Sequence, residues 1–286
     1  ELQQQQQQLL LQPALLCSGH LHHAAAAVPR TASGDYETVF INLDAREDRR
    51  AAMDQRLRVA GMQRVARLAA ARGVDAPDAY VAHEWDSTLN ARYDLNCEPT
   101  VGLKFSVGER GCAMSHALLW ERVAAREDSG LPMLVLEDDV VLSEEAAALT
   151  RLLVAHIEGT MSPAERNILL YLGAHVAKWL AGNDRCLEAV QLREAEWLWQ
   201  THAYIIWPVA ARRLLAGLPI DAPVDNYISR NVMERKVRAL VCQPEVAKQE
   251  APYANGDVVH SSLTKGSSQT PSRVGHHGAP ARKRRS

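Results

Sequence analysis

The sequence predicts an α/β protein with a mostly parallel sheet that is covered by helices on both faces. Short apolar runs rich in β-forming residues, such as Thr38–Leu43 and Leu131–Leu136, have the length and composition of buried strands. Segments with the apolar spacing of helices separate these runs, and strands that alternate with helices favour parallel pairing. Both observations indicate one sheet with helices packed on either side.

The elements at the start of the chain follow this alternation. The strand Thr38–Leu43 precedes a helix with one apolar face, which is predicted to end at Gly61. A weaker strand follows at 65–70. Residues 74–104 show little periodicity and contain two prolines, so a long loop or insertion is predicted there. Loops of that length often serve binding sites.

A capping box is predicted at Ser106 and Glu109, where a hydroxyl and a carboxylate satisfy free amide groups at the start of a helix. Glu109 is therefore interpreted as a cap, and Cys112 in the same helix as a small buried apolar residue. The strand Leu131–Leu136 comes next and ends in three consecutive acids. A helix, two strands and two further helices are then predicted at 144–157, 168–172, 203–207, 208–216 and 225–235.

The 286 residues are 47% apolar and 23% charged, which is the composition of a globular protein and excludes a fully disordered chain. Residues 1–35 are of low complexity, and we expect a disordered leader there, with a remnant of a signal sequence as the alternative. The stretch Leu9–Leu16 is too short to span a bilayer. Residues 261–286 are expected to form a basic disordered tail, which leaves 36–260 as the folded domain.

The net charge of −2 conceals an acidic body, because residues 35–263 hold 33 acidic and 25 basic side chains. An acidic body argues against nucleic-acid binding, which needs a basic face for phosphate contacts. The five cysteines form no Cys-x-x-Cys pair, so the sequence indicates neither a zinc knuckle nor a disulfide framework. Both the cytoplasm and the secretory lumen stay open as compartments.

The sharpest chemical feature is the acidic triplet Glu137-Asp138-Asp139 at the end of a hydrophobic strand. Ligands of open α/β sheets bind beyond the carboxyl ends of the strands, and hard divalent cations prefer oxygen ligands. Since Glu137 and Asp139 point to the same side of a strand, this pair is a candidate site for Mn²⁺ or Mg²⁺ bound to a diphosphate. The alternative is that the acids only end the strand and cap the helix that starts near Ser143.

Five motifs stand in the same order as in a known enzyme family. They are Ile41–Arg50, Gly108–His116, Leu134–Val140, Thr201–Ile206 and Pro219–Asp225. They include the patterns Asn-Leu-x-x-Arg-x-Asp-Arg, Gly-Glu-x-Gly-Cys-x-x-Ser-His and Glu-Asp-Asp. On these motifs the chain resembles glycosyltransferase family 25, which includes lipooligosaccharide galactosyltransferases and collagen galactosyltransferases.

The resemblance implies a GT-A-like, Rossmann-type fold and makes 36–260 the catalytic domain. It also implies transfer of a hexose, with galactose the first expectation, from a UDP-sugar to a hydroxyl of a glycan, lipooligosaccharide or protein, with inversion. Mn²⁺ or Mg²⁺ is the implied cofactor. Two features depart from the family pattern: Arg110 stands where a small apolar residue is frequent, and 74–104 matches no motif.

Candidate roles follow for individual residues. Asp139 and Glu137 are the expected metal ligands, and Asp225 is the expected base that accepts the proton of the acceptor hydroxyl. The expected donor-binding residues are Asn42, Leu43, Arg46, Arg49, His116, Glu137 and Asp138. For several of these a structural role stays open: helix capping for Asp225 and packing for His116. Arg46 and Arg49 either reach a phosphate or clamp Asp48, and an ordinary ion pair of Asp48 with Arg49 or Arg50 at the start of the helix is the alternative.

Weaker candidates are Asp221 as the base, Asp257 or His260 near the diphosphate, and a group of tryptophans that either stack on an acceptor sugar or pack in the core. The tryptophans are Trp179, Trp197, Trp199 and Trp207. Two other functions remain as alternatives to a glycosyltransferase. One is a non-catalytic relative that serves as a binding or chaperone-like subunit. The other is a metal-dependent nucleotidyl- or phosphotransferase, which uses the same acidic cluster.

Overall fold

The computed structural model describes residues 34–182, 185–187 and 190–250. The expectations for the leader, for the basic tail, and for Asp257 and His260 therefore lie outside the described residues. None of the helices in the described ranges is both long and apolar enough to cross a membrane.

The described residues form five α-helices and thirteen β-strands, and helices separate most of the strands up to residue 171. The helices are α1 (Glu47–Val59), α2 (Val107–Ala124), α3 (Ala146–Thr160), α4 (Pro208–Leu215) and α5 (Val224–Met233). The strands are β1 (Glu37–Asn42), β2 (Val65–Ala69), β3 (Glu84–Trp85), β4 (Leu103–Lys104), β5 (Met133–Glu137), β6 (Val140–Leu142), β7 (Ile168–Tyr171), β8 (His175–Trp179), β9 (Arg185–Leu187), β10 (Val190–Trp199), β11 (Ala203–Ile206), β12 (Arg238–Gln243) and β13 (Ala247–Gln249).

The central sheet has the strand order β2-β1-β5-β11-β7-β12-β10-β8, with β9 paired to β10. Pairing is parallel between β2, β1 and β5 and between β7 and β12, and antiparallel at the other contacts of the sheet. The prediction of a mostly parallel sheet is therefore wrong. The physical reason is the length of the connections: five residues separate β8 from β9 and two separate β9 from β10, which is too few for the crossover that parallel neighbours need. We call β2, β1 and β5 the parallel end, and β12, β10, β9 and β8 the antiparallel end.

Helices cover both faces of this sheet, as predicted. In β5, Met133 and Val135 pack on one face with α2, α4 and α5, while Leu134 and Leu136 pack on the other with α1 and α3. The alternation is the period-two pattern of a strand whose two faces are both buried. The largest buried side chain of the α2 layer is Trp120, which is 0% exposed.

Residues 74–104 are mostly irregular, as predicted, but they contain one short strand pair and are anchored to the rest of the fold at several points. The two-residue strands β3 and β4 pair antiparallel, and Val81 forms a parallel bridge to Ile220. Tyr93 stacks on the buried Trp197 of β10 with ring centroids 4.4 Å apart. Residues 74–104, which we call the wall, therefore pack against the antiparallel end.

Arg110 of α2 holds the beginning of this wall. The side chain is buried, and its guanidinium donates to the carbonyl oxygens of Val81 at 3.0 Å and Ala82 at 2.9 Å, and to those of Gly73 and Ala76. A buried cation that satisfies several carbonyl groups fixes the path of the backbone around it. The departure from the family pattern at this position is thus matched by a local structural role.

Candidate active site

A groove of about 1310 Å³ runs along the edge of the sheet where β1, β2, β5 and β10 end and where α2 and α5 begin. The structure brings nearly all the predicted site residues together in its wall: Asn42, Leu43, Arg49, His116, Glu137, Asp138, Asp139 and Asp225. Arg46 is the predicted residue that does not line the groove. A groove beyond the carboxyl ends of the strands is the usual ligand position in α/β proteins.

The N-terminal turns of α2 pack closely against the segment that follows β2. Ser115 Oγ accepts the amide N–H of Ala71 at 2.9 Å, and Ser106 and Glu109 form the predicted capping box. A Cβ atom on Gly73 would lie 1.8 Å from the carbonyl oxygen of Val107, so no larger residue fits there. This close approach places the start of α2, with its free amides, in the wall of the groove.

Asp138 is held from the side of β1 and α1. Its carboxylate accepts the Asn42 side-chain amide at 2.7 Å and Arg49 Nη1 at 3.0 Å. Asn42 is itself buried, and its Oδ1 accepts Arg67 Nε at 3.0 Å. These contacts tie the end of β5 to β1 and α1, and the expectation that Asp138 supports the site from the face opposite to Asp139 stays a prediction.

Arg46 makes a different contact. It donates to Asp48 at 2.9 Å and 2.8 Å, and this hydrogen-bonded pair lowers the pKa of the exposed Asp48 carboxyl to about 2. The expected clamp of Asp48 is therefore confirmed for Arg46, whereas Arg49 donates to Asp138.

Glu137 ends a buried chain of hydrogen bonds. Trp120 Nε1 donates to Tyr204 Oη at 3.0 Å, and Tyr204 Oη lies 2.8 Å from His116 Nδ1. His116 Nε2 is 3.3 Å from Glu137 Oε1, which also accepts Thr201 Oγ1 at 2.5 Å. A carboxylate only accepts, so the His116 proton lies on Nε2 and the Tyr204 hydroxyl donates to Nδ1. Trp120, Tyr204, His116 and Thr201 therefore fix the orientation of Glu137.

The electrostatics of Glu137 follow from these contacts. Burial opposes ionisation of the carboxyl, but the hydrogen bonds from His116 and Thr201 outweigh that cost and hold its pKa below the ordinary value. The imidazole of His116 is fully buried. The packing interpretation of His116 is thereby confirmed, and a direct contact to a donor stays a prediction.

Asp139 is in the opposite electrostatic situation. Its Oδ2 accepts the Gln249 side-chain amide at 2.9 Å, while its Oδ1 is buried and has no hydrogen-bond partner among the described residues. Burial and then the neighbouring Glu137 carboxylate raise its pKa to about 6. A buried carboxylate oxygen that lacks a donor and lies beside a second carboxylate is an arrangement that a hard divalent cation relieves.

A second group of potential ligands lies on the α2 side of Glu137. The ligand atoms of Cys112, His116 and Glu137 lie within 4.8 Å of one another. Burial and then the carboxylates of Glu137 and Asp225 raise the pKa of the Cys112 thiol well above its ordinary value, which disfavours the thiolate that metals require. Both nitrogens of His116 are also engaged. This set does not fit a soft metal, and the Cys112 side chain packs partly buried against the core.

Asp225 lies in the first turn of α5, and its half-buried carboxylate lines the groove. It accepts the amide N–H of Gln200 at 3.2 Å and that of Asn226 at 2.8 Å. Pro223 occupies the N-cap position, so the capping interpretation of Asp225 is wrong. Asp221 forms an ion pair with Arg230 and does not line the groove, which favours Asp225 as the base.

Several residues of the site were missed at the sequence level. Thr201 and Tyr204 belong to the fourth motif, so the sequence marked their segment as part of the site, but the motif assigned no role to either side chain. Gln249 contacts Asp139 from 110 positions away, and no local pattern marks it. Of the four tryptophans singled out, Trp199 lines the groove, whereas Trp197 and Trp207 are buried in the core.

Comparisons with known proteins show which family this sequence is similar to. The model of glycosyltransferase family 25 (LPS biosynthesis protein) matches residues 36–228. The lacto-N-neotetraose biosynthesis glycosyltransferase LgtB of Neisseria meningitidis serogroup B is 35% identical over 166 residues, which are 54% of this chain and 58% of LgtB. The human inactive glycosyltransferase 25 family member 3 is 30% identical over 164 residues, which are 55% of this chain and 26% of that protein.

The chain thus spans less than two thirds of the length of these curated relatives. The family match, in contrast, covers most of the described residues and includes all five motifs. The resemblance that the motifs indicated is confirmed, and the chain belongs to glycosyltransferase family 25.

Proposed function

We propose that the protein is a metal-dependent glycosyltransferase that moves a hexose from a UDP-sugar to a hydroxyl group with inversion. The observation that carries this proposal is the pair of carboxylates Glu137 and Asp139, one fixed by hydrogen bonds and the other with an unpartnered buried oxygen. The pair lies in the same groove as Asp225, which belongs to a different element. An inverting transfer needs these two kinds of carboxylate, because the base acts on the face opposite to the leaving group.

The donor set fits a hard ion. Asp139 and Glu137 would hold Mn²⁺ or Mg²⁺, and the raised pKa of Asp139 is what an unrelieved site for a cation produces. When bound, such an ion neutralises the diphosphate and stabilises the departing UDP as a Lewis acid. Without it, two phosphates would approach three carboxylates and be repelled.

The donor fits the parallel end of the groove. Leu43 and the segment after β2 line that part, which is the usual nucleotide position in α/β sheets. Asn42 and Arg49 act there through Asp138, because both donate a hydrogen bond to that carboxylate. Galactose as the transferred hexose and a glycan as the acceptor are proposed by analogy with LgtB, whose name describes lacto-N-neotetraose biosynthesis.

The residues of the groove then account for the transfer. The acceptor oxygen attacks the anomeric carbon and forms the new glycosidic bond while the bond from that carbon to the β-phosphate oxygen breaks. UDP leaves with the electron pair of the broken bond. Asp225 accepts the proton of the acceptor hydroxyl and later releases it to solvent. The amide N–H groups of Gln200 and Asn226 hold the Asp225 carboxylate in place for this step.

Thermal unfolding in the presence of UDP and Mn²⁺ tests this function. A ligand at 100 times its Kd adds about 2.7 kcal/mol of stability, so a clear rise in Tm is expected only when both are present. Mn²⁺-dependent UDP release from UDP-galactose should be lost in Asp139→Asn. It should be retained in Asp54→Asn, which changes an exposed acid of α1 outside the groove.

The proposal fails if the wild-type protein neither binds nor releases UDP with any divalent ion. A second candidate, a non-catalytic binding subunit, is favoured by the similarity to a human family member described as inactive. That reading predicts UDP binding without sugar transfer and no effect of Asp225→Asn on biological activity. Mass spectrometry of the products separates both from a nucleotidyl- or phosphotransferase, because an intact hexose on the acceptor excludes the latter.

A further inference from the structure

The groove is larger than a donor site requires. Small-molecule sites usually measure roughly 300–1,000 Å³, and the groove measures about 1310 Å³. Past Asp225 it continues along the antiparallel end, between the last residue of β10 and the 90–97 part of the wall. None of the donor or metal candidates lies in this continuation.

Trp199 is the central side chain of this continuation. It is half-buried at the end of β10, and its indole Nε1 donates to Asn226 Oδ1 at 3.0 Å. His175 of β8 stacks beside it with ring centroids 5.4 Å apart. Because Asn226 directly follows Asp225, the indole ring is fixed next to the carboxylate that is proposed as the base.

The opposite wall carries neutral polar groups and one carboxylate, that of Asp94. Asn90, Tyr93 and Asn96 line the groove, and the Tyr93 ring is anchored on Trp197. The carboxylate of Asp94 accepts the amide N–H of Asn96 at 2.9 Å within its own loop. Amides and an imidazole suit hydroxyl groups, which both donate and accept hydrogen bonds.

We propose that this part of the groove is the subsite of a saccharide acceptor, whose terminal sugar stacks on Trp199 and directs one hydroxyl to Asp225. A pyranose ring has an apolar face of C–H groups and a rim of hydroxyls, and a fixed aromatic ring among neutral polar groups matches both. The assignment rests on the proposed function, and it names a saccharide rather than a protein side chain as the acceptor.

The other tryptophans provide a matched control. Trp179 of β8 belongs to the same end of the sheet and is half-buried, but it stacks with Arg193 at 4.2 Å and does not line the groove. The substitution Trp199→Leu removes the stacking surface, Trp199→Phe keeps an aromatic ring, and Trp179→Leu repeats the change outside the groove. The full chain is used in each case.

Acceptor-dependent UDP release from UDP-galactose is measured with three saccharides, namely lactose, N-acetylglucosamine and glucose, and with a hydroxylysine-containing peptide. We expect at least one saccharide to stimulate release, and we expect Trp199→Leu to raise the apparent KM for it at least tenfold. Trp199→Phe should stay within threefold of the wild type, and Trp179→Leu should equal it. The Kd of UDP with Mn²⁺ should be the same in all four proteins, which also shows that each is folded.

Each contrary outcome has a distinct meaning. Stimulation by the peptide alone, or an unchanged KM in Trp199→Leu, overturns the saccharide subsite while UDP binding still supports the proposed function. An equal rise in KM for Trp179→Leu overturns it too, because the effect is then one of the sheet rather than of the groove. Failure of the wild type to bind UDP overturns the proposed function itself.

Discussion

The two ends of the sheet contribute different chemistry to one groove. At the parallel end, the carboxylates at the end of β5 are held by the Asn42 amide of β1, the Arg49 guanidinium of α1, the His116 imidazole of α2 and the Thr201 hydroxyl just before β11. At the antiparallel end, the wall is formed by Trp199, His175 and mostly neutral polar side chains, with Asp94 as one carboxylate among them. Charge collects where an ion and a diphosphate are proposed to bind, and aromatic surface collects where a sugar is proposed to bind. The order of the strands in the sheet therefore places the proposed ion and diphosphate site at one end of the groove and the proposed sugar site at the other.

The largest effect is expected from Asp225→Asn, which tests whether the two ends act as separate sites. General base catalysis contributes about 10²- to 10⁴-fold to a rate, so transfer to an acceptor should fall by that factor. The amide is nearly the same size and keeps one oxygen for the N–H groups of Gln200 and Asn226. UDP affinity with Mn²⁺ should therefore not change. A parallel loss of UDP affinity, measured by calorimetry, would show that the donor end depends on Asp225.

The next effect concerns the wall that completes the antiparallel end. Arg110→Met keeps the volume of the buried stem but removes the donors to the carbonyl groups of Val81 and Ala82. Buried carbonyl groups without a partner cost about 1–3 kcal/mol each, so the free energy of unfolding should fall by about 3 kcal/mol. Urea denaturation measures this loss. The variant Arg58→Met, at an exposed position of α1, should change it by less than 0.5 kcal/mol or so.

Hydrogen exchange shows whether the loss is local. Amides of 74–104 should lose protection in Arg110→Met, whereas amides of β5 should keep it. Uniform loss of protection would mean that the wall and the parallel end unfold as one unit, and the two regions would then not be separable.

The parallel end was easier to predict from sequence, and the reason is local. Asn42, Asp138 and Asp139 directly follow strands with strong apolar patterns, so their position at the edge of the sheet follows from the chain itself. Glu109 was predicted as a cap from a spacing of three residues, and the capping box is present. Signals of this kind need no information about distant partners.

The antiparallel end was missed because its signals come from distant residues. β10 carries Glu194 in its middle, which interrupts the apolar pattern of a buried strand. The carboxylate is nevertheless only 3% exposed, because Arg238 of β12 donates to both of its oxygens at 3.1 Å and 2.8 Å. The contact of Gln249 with Asp139 and the stacking of Tyr93 on Trp197 likewise join residues about a hundred positions apart. No periodicity within a window reveals such pairs.

A smaller effect is expected from Asp139→Asn on the metal-free protein. Burial and Glu137 hold the pKa of Asp139 near 6 instead of 3.8, so its ionised form costs the folded state on the order of 2 kcal/mol at neutral pH. The variant should therefore be more stable than the wild type without a metal. The difference should be nearly full above pH 6, shrink as the pH falls from 6 toward 4, and disappear only below pH 3.8, where the wild-type carboxyl is protonated in both the folded and the unfolded state.

Denaturation at pH 4, 5.5 and 7.5 in the presence of a chelator measures this dependence. The same variant should lose the rise in Tm that Mn²⁺ and UDP give to the wild type. A variant that is less stable than the wild type at pH 7.5 would contradict the assignment of Asp139 as an unrelieved charge. It would also remove the main reason to place the ion at this carboxylate.

The smallest effect is expected from Tyr204→Phe, which tests how strictly the parallel end is organised. The substitution removes the hydroxyl that donates to His116 Nδ1, so the imidazole proton is no longer confined to the nitrogen that faces Glu137. If the orientation of Glu137 matters for the ion, the affinity for Mn²⁺ in the presence of UDP should fall several-fold, as is usual for groups that orient metal ligands. The acceptor KM should stay unchanged, since Trp199 lies at the other end of the groove.

Tyr227→Phe is the matched control, because it deletes a buried hydroxyl bonded to the carbonyl oxygen of Leu214 and does not touch this chain of hydrogen bonds. Both variants should lose about 1 kcal/mol of stability, and only Tyr204→Phe should lower the affinity for Mn²⁺. Equal Mn²⁺ affinities in the two variants would reduce the Tyr204 hydroxyl to a packing contact and leave Thr201 as the group that fixes Glu137.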